Sequence, residues 1–477
     1  MIREEKYYTD LFGVDVRTME NLVAKALSQG GNYADLFFES TTSRDLLLRD
    51  GQVSSGGFHQ DFGVGIRTLS GDRTGYAYSE STRLQDMVSA AEAASAIACG
   101  AAPSEARPTF AFKGKPNAAA DRYPFTGDWR DVPADSYLPM LTRLESMIRS
   151  RDSRVMKVIA MISGQVSDVL MFNSQGELKY DTRPMGTVAV TVIYGDGKTV
   201  RNNHVSRSWR LGTEMLTEEL LSSLADQAVR GISARLEARR PKGGRMSVVM
   251  GAGASGILLH EAMGHAFEAD FNRKGQSIFS DKMGSRICRS GITIVDDGTI
   301  RGSRGSLNFD DEGIPGQRTV MVQDGVLTSF LHDRVSASFY GVKPTGNGRR
   351  ESFRYNPIPR MRATYMESGD SNPDDIIASV DKGIFVDEFA NGQVKIGEGD
   401  FTFYVKSGFL IEKGRLTMPV TDINIMGNGP QALSDIVAVG NDGLVDDSAW
   451  TCGKEQQVPV SCGIPTVLVQ GLTVGGE

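Results

Sequence analysis

Cysteine is scarce in this chain, with four among 477 residues. So few, so far apart, cannot make a disulfide framework. They fit a reducing compartment such as the cytoplasm, where thiols stay free. Histidine is nearly as rare, with five in all, so two of them close together carry weight. No apolar run is long enough to span a bilayer. The start, Met1-Ile2-Arg3-Glu4-Glu5-Lys6, is polar and no apolar stretch follows it, so no secretory signal is expected. An excess of basic residues is missing too: 52 Lys and Arg stand against 59 Asp and Glu, for a net charge of −7. That argues against a dedicated nucleic-acid binder.

What is present reads as a globular protein of two or three domains. Hydrophobic residues make up 40% and charged residues 23%. The first half reads as one α+β unit used twice. Thr18–Gln29 has helical spacing, Ala34–Ser40 and Phe62–Leu69 read as strands, and Arg83–Cys99 is an Ala-rich helix. A Pro-rich stretch, Ala101–Trp129, reads as a linker. The order then recurs: helix at Ser136–Arg151, strands at Val155–Ile162 and Thr187–Tyr194, and a long helix at Met215–Arg239. The expected division is an N-terminal domain over 1–240, with units at about 15–100 and 130–240, and a β-rich domain over 245–477. In the latter, short strand-like runs at Ser247–Met250, Ile292–Val295, Thr319–Val322, Leu327–Leu331, Gln393–Ile396, Asp400–Lys406 and Gly408–Ile411 suggest antiparallel, barrel-like sheets. Asn372–Asp381 reads as a helix among them.

The most informative segment is His260-Glu261-Ala262-Met263-Gly264-His265, which follows the apolar run Ile257-Leu258-Leu259. Imidazole nitrogen is a good zinc ligand, and Glu261 is placed to serve as general base toward a zinc-activated water. The familiar zinc-protease spacing puts His at i and i+4. Here it is i and i+5, which lies about 140° round a regular helix. A π-bulge restores the facing geometry, and so does a loosening of the helix at Gly264. A zinc site needs a third ligand and an open position. Glu268, Asp270, Cys288, Cys452 and Cys462 are all candidates on the residues alone. Cys99, in its Ala-rich helix, reads as a small buried hydrophobe.

Other patterns compete for function. Gly251-Ala252-Gly253-Ala254-Ser255-Gly256 matches the G-x-G-x-x-G of dinucleotide-binding loops. The helix it opens carries His260 and Glu261, which have no task at a pyrophosphate, and no second strand with an acidic end follows. The glycines read better as close backbone approach beside a site. His59, His204 and His332 have no second ligand at motif spacing. Asp310-Asp311-Glu312 can hold a cation, but the following Gly313-Ile314-Pro315 reads as a turn.

Landmarks further along carry a resemblance. They are Asn308-Phe309-Asp310-Asp311-Glu312-Gly313, Pro344-Thr345-Gly346-Asn347-Gly348-Arg349-Arg350-Glu351-Ser352-Phe353, Val439-Gly440-Asn441-Asp442, Thr451-Cys452-Gly453-Lys454-Glu455 and the terminal Leu472-Thr473-Val474-Gly475-Gly476. With H-E-x-x-x-H they make the chain resemble the TldD/PmbA metalloprotease family over nearly its whole length. The resemblance implies the motif-bearing, TldD type of subunit, with Cys452 as third zinc ligand beside His260 and His265, and Glu261 as catalytic base. It implies a zinc peptidase acting on short or unfolded polypeptides, in peptide maturation and protein degradation. It also implies a dimer, with a PmbA-type (TldE) paralogue or with itself, and a part for Asn347–Phe353 in the active-site wall. Older descriptions in the family speak of modulating DNA gyrase, so a non-catalytic regulatory binding protein is the alternative. An intact ligand set with Glu261 favours the enzyme.

Overall fold

A computed structural model describes residues 3–99 and 121–476. Most of the expected linker, including Pro103, Pro108 and Pro116, lies outside the described residues.

The repeated unit is helix, three antiparallel strands, helix. In the first copy the helix Val16–Ala26 starts where the Asp15 side chain accepts from Thr18 N. It buries Met19, Leu22, Val23 and Ala26, one face at i, i+3, i+4, i+7. Strands β1 (Tyr33–Arg49), β2 (Gln52–Ser70) and β3 (Arg73–Ser79) follow, then the helix Leu84–Cys99. That helix is Ala-rich because it lies almost on the sheet: a Cβ on Gly75 would sit 2.0 Å from Ala94 O. Cys99, at its end, is only half-buried, contrary to the buried role expected, because the helix stops there. The second copy runs Leu138–Arg151, β4 (Val155–Asn173), β5 (Leu178–Gly195), β6 (Val200–Trp209) and Glu218–Val229.

The two copies share one sheet of order β3-β2-β1-β4-β5-β6, with β1 and β4 antiparallel from Asp35↔Asn173 to Arg49↔Ile159. The strands run well past the apolar cores read from sequence. β1 has 17 residues and β2 19, because the polar stretch Thr41–Asp45 is paired on both sides and the polar start of β2 pairs with β1. The long helix expected at Met215–Arg239 is instead two, Glu218–Val229 and Ile232–Glu237. Gly231 between them takes φ +72°, a left-handed conformation that ends a helix.

Alternation along the strands decides what the sheet faces. Leu36, Phe38, Leu170 and Phe172 point to the helices of the first copy. Their neighbours Phe37, Val169 and Met171 point the other way, onto Phe309 and Phe353 of the C-terminal half. The same contact holds a buried ionic network. Arg67 pairs with Asp35 and, at 2.6 Å, with Glu312, all fully buried. Arg183 holds Asp311 at 2.5 Å, and Asp310 accepts from Glu312 N and Ile314 N. The acidic triplet is therefore a turn whose carboxylates bind arginines and backbone, and the cation reading is dropped.

In the C-terminal half five strands close into a ring: Lys382–Lys395, Gly244–Met250, Val467–Val474, Asn424–Asn428 and Asp400–Glu412, which pairs back to the first. Asp400–Glu412 is one strand where two were expected, and Gln393–Ile396 is the end of a longer one. The pairing of Gly244–Met250 with Lys382–Lys395 is parallel, an exception to the antiparallel pattern. A second sheet has the order Val326–Leu327, Arg318–Gln323, Ile294–Asp297, Ala363–Met366, Ser461–Ile464, Leu444–Asp446. The strand expected at Leu327–Leu331 ends at Leu327, because Leu331 spends its backbone bonds on Phe267 O and Ala269 N. Those bonds tie it to the end of the His-bearing helix.

Candidate metal centre

The His-bearing helix follows the ring strand Gly244–Met250 through the loop Gly251–Gly256 and starts at Ile257. Ile257, Leu258 and Leu259 bury the first turn. His260–Gly264 is a π-helical turn and His265–Phe267 a tight 3₁₀ turn. A π turn bonds i to i+5, so it sets residue i+5 above residue i. The ring centroids of His260 and His265 are 5.0 Å apart at 84°. Gly264 has an ordinary helical φ of −55°, so backbone freedom is not its task. A Cβ there would lie 2.2 Å from Met361 Sδ; it is small because Met361 packs on the turn.

The Gly251–Gly256 loop packs on protein at Gly251 and Gly256, while Ala252, Gly253 and Ala254 line a cavity of about 590 Å³. A Cβ on Gly256 would lie 2.4 Å from Gly463 N, and Gly253 N donates to Ile464 O. Gly256 serves close packing against Ser461–Ile464 and Gly251 against Phe385, the close backbone approach expected of them.

The third element is a two-stranded hairpin, Thr451–Lys454 with Gln456–Pro459, turning at Glu455 with φ +57°. Alternation buries Cys452 and Lys454 and exposes Thr451 and Gly453. Arg360, fully buried, clamps the hairpin by donating to Cys452 O at 2.7 Å and Gln456 O at 2.9 Å. Cys452 Sγ is thereby held 3.1 Å from His260 Nε2 and 3.3 Å from His265 Nε2. One donor atom from each of the three residues lies within 4.8 Å of the others, and all three residues are buried. Cys288 and Cys462 stand outside this group, buried in apolar surroundings that raise their thiol pKa values, that of Cys288 to about 12.

Burial alone would keep the Cys452 thiol protonated. The two imidazoles outweigh it and bring the group down to about 4. Burial likewise opposes charge on His265, but Glu268 and the thiolate raise it to about 10. Two imidazoles and a thiolate are a borderline-soft donor set that suits zinc, so these residues fit a metal ion.

Glu268 and Asp270, both candidate ligands on sequence, are engaged elsewhere. Glu268 Oε2 accepts from His265 Nδ1 at 2.9 Å and lies 3.0 Å from Lys454 Nζ, while Oε1 is 3.7 Å from Arg360 Nε. Burial would raise its pKa, yet Lys454, His265 and Arg360 hold it down to about 2. Asp270 meets Lys454 Nζ at 2.8 Å. Glu261 is half-buried beside the cluster, and burial raises its carboxyl against the pull of His260 and His265. The sequence reading missed Lys454 and Arg360. Lys454 had a signal, since it shares a strand face with Cys452 at i+2; Arg360 had none.

The remaining histidines keep their ordinary roles. His204 Nδ1 meets the Thr191 hydroxyl, His332 Nδ1 the Ser336 hydroxyl, and His59 is exposed 3.8 Å from Asp45.

Comparison with known proteins adds the following. Three family models match: PmbA/TldA metallopeptidase domain 1 over residues 34–98, the central domain over 127–236 and the C-terminal domain over 243–476. A metalloprotease TldD homolog of Haemophilus influenzae is 37% identical, covering 97% of each chain. A zinc metalloprotease TldD homolog of Saccharolobus solfataricus is 32% identical over 51% of this chain and 54% of its own. Two solved structures share the fold. TldE from Thermococcus kodakarensis has a TM-score of 0.74 at 19% identity, covering 96% of this chain and all of its own. A Bacteroides thetaiotaomicron protein described as a candidate modulator of DNA gyrase has 0.75 at 22%, covering all of both chains.

Proposed function

Since the chain belongs to the TldD/PmbA metallopeptidase family and is of the TldD type, we propose that it is a zinc peptidase that hydrolyses short or unfolded polypeptides. The observation that carries this reading is the convergence of His260, His265 and Cys452 beside Glu261. His260 Nε2, His265 Nε2 and Cys452 Sγ would hold the zinc. When bound, zinc supplies Lewis-acid polarisation of the scissile carbonyl and acidifies water.

The chain's own groups do the rest. Glu261 takes a proton from the attacking water and passes it to the leaving amine. Glu268 fixes the ring of His265 through Nδ1 and makes Nε2 the donor atom, as carboxylate partners of ligand histidines do. Lys454 and Arg360 balance the Glu268 charge, all three side chains being buried. The hairpin Thr451–Pro459 pairs with no further strand among the described residues, so an extended substrate can add to its edge. Strand pairing of that kind gives weak sequence preference.

A purely regulatory binding role leaves Glu261 without a task, and the likeness to the gyrase-modulator candidate, at 22% identity, concerns the fold alone. The expected assembly is a dimer with a PmbA-type paralogue, or with a second copy, whose closed chamber admits only unfolded chains. No described helix is long and apolar enough to cross a membrane, and a reducing cytoplasm would keep Cys452 available. The test is Glu261→Ala. It should retain zinc while hydrolysis of an unfolded peptide falls by at least about 10²-fold. Near-normal turnover in a zinc-replete preparation would rule out the mechanism.

A further inference from the structure

We propose that the polar cavity between the sheet shared by the two N-terminal copies and the Thr451–Pro459 hairpin is a carboxylate-binding site, which takes an acidic side chain or the C-terminal carboxylate of the peptide substrate. The identity of the ligand as a peptide rests on the peptidase reading above. The cavity measures about 280 Å³. That is below the usual range for drug-sized ligands, and suits one amino-acid side chain better than a nucleotide.

Five arginines line it: Arg183, Arg210, Arg304, Arg349 and Arg350. Arg183 is held by Asp311, and Arg350 lies 3.7 Å from Asp35. The other three have no carboxylate partner among the described residues. Arg349 donates to the carbonyls of Met361 and Pro459, at 2.6 and 2.8 Å. Arg304 donates to Trp450 O, Ser208 Oγ, Thr451 Oγ1 and Met185 Sδ. Arg210 is 6% exposed. Its Nε donates to Arg304 O at 3.2 Å, and its two terminal nitrogens donate to nothing among the described residues.

The acids in the wall are already used. Asp311 serves Arg183 and Arg350 N, Glu39 accepts from Phe353 N and Thr41 Oγ1, and Glu351 accepts from Gln457 N. A buried cation with no carboxylate in contact is costly, and the more distant Asp181, Asp296 and Asp311 do not make up for the burial. Burial lowers Arg210. Burial, with repulsion from Arg210 next, brings Arg349 down to about 9 and Arg304 to about 10. A carboxylate supplies the missing charge, and its two oxygens match the planar guanidinium fork.

The position ties the cavity to the reaction. Thr451 lies in its wall, one residue from Cys452 and on the opposite face of the strand. The cavity and the metal ligands are thus separated by the thickness of one hairpin. At about 3.3 Å per extended residue, a peptide rounding the open edge spans that separation within a few residues.

The test uses two pairs of unfolded peptides. One pair differs only as C-terminal acid or amide, the other only as Glu or Gln at one internal position. Each is titrated by calorimetry into the Glu261→Ala protein and assayed for kcat/KM with the wild type. In one pair the carboxylate form should bind and react about ten- to a hundredfold better, the scale of a hydrogen bond between charged groups; which pair responds identifies the source. Arg210→Gln and Arg304→Gln should each pull that ratio toward one. Equal binding within both pairs overturns the proposal, as does an undiminished ratio in both variants. If Arg210→Gln fails to fold, the half-buried Arg304 decides. Absence of cleavage in every wild-type assay sinks the peptidase reading instead, and the calorimetry still decides on the carboxylate.

Discussion

Replacing Glu268 by Gln separates orientation of a proposed metal ligand, His265, from support of the fold. Glu268 has no exposed surface. Its carboxylate meets His265 Nδ1 at 2.9 Å, Lys454 Nζ at 3.0 Å and Arg360 Nε at 3.7 Å. Gln keeps the shape and removes the charge. Loss of a carboxylate that orients a ligand histidine costs about 10- to 100-fold in metal affinity, or about 1.4–2.7 kcal/mol. Stability falls as well, because Lys454 and Arg360 lose a buried counter-charge. Breaking such a pair costs about 3–5 kcal/mol. Asp270 stays on Lys454 at 2.8 Å, which places the expected loss near the lower end, at about 3 kcal/mol. Zinc affinity is read by competition with a chromophoric chelator, and stability by urea unfolding of the metal-free protein. A Glu268→Gln variant that loses stability but binds zinc within twofold of wild type would refute the orienting role. One that loses neither would refute the whole account of the network.

Three further outcomes are expected. Cys452→Ala should purify without zinc and Cys462→Ala with it; the reverse would overturn the ligand assignment. His332 supplies a pH test, since burial lowers its imidazole from 6.5 to about 4. Its folded pKa is below the unfolded one, so stability is present above pH 6.5 and is lost as pH falls toward 4, by about 2 kcal/mol at pH 5. In His332→Gln the acid-side loss should shrink by that amount, and a gap between wild type and variant that does not change with pH contradicts the reading. Finally, light scattering should find the active species to be a dimer, with the PmbA-type paralogue when both are co-expressed. A fully active monodisperse monomer contradicts the chamber.

The sequence by itself carried the chemistry that is local. His260, Glu261 and His265 lie within six residues, and their uncommon i, i+5 spacing already called for a π turn or a break at Gly264. The turn is there, because only an i to i+5 repeat stacks those two rings. The twofold order of helix, strands and helix was legible for the same reason: periodicity and turn residues act over short distances. What the sequence left open was non-local. Five side chains were open as third ligand on residue type alone. Cys452 meets the histidines because Arg360, with no sequence signal, clamps its hairpin, while Lys454 and Arg360 hold Glu268 on His265. The polar middle of β1 is strand because β2 and β4 pair it on both sides, the polar start of β2 is strand because β1 pairs it, and Gly231 splits a helix that periodicity would have continued. The arginines of the cavity come from four separate stretches of chain, so their unmatched charge exists only once the fold has brought them together.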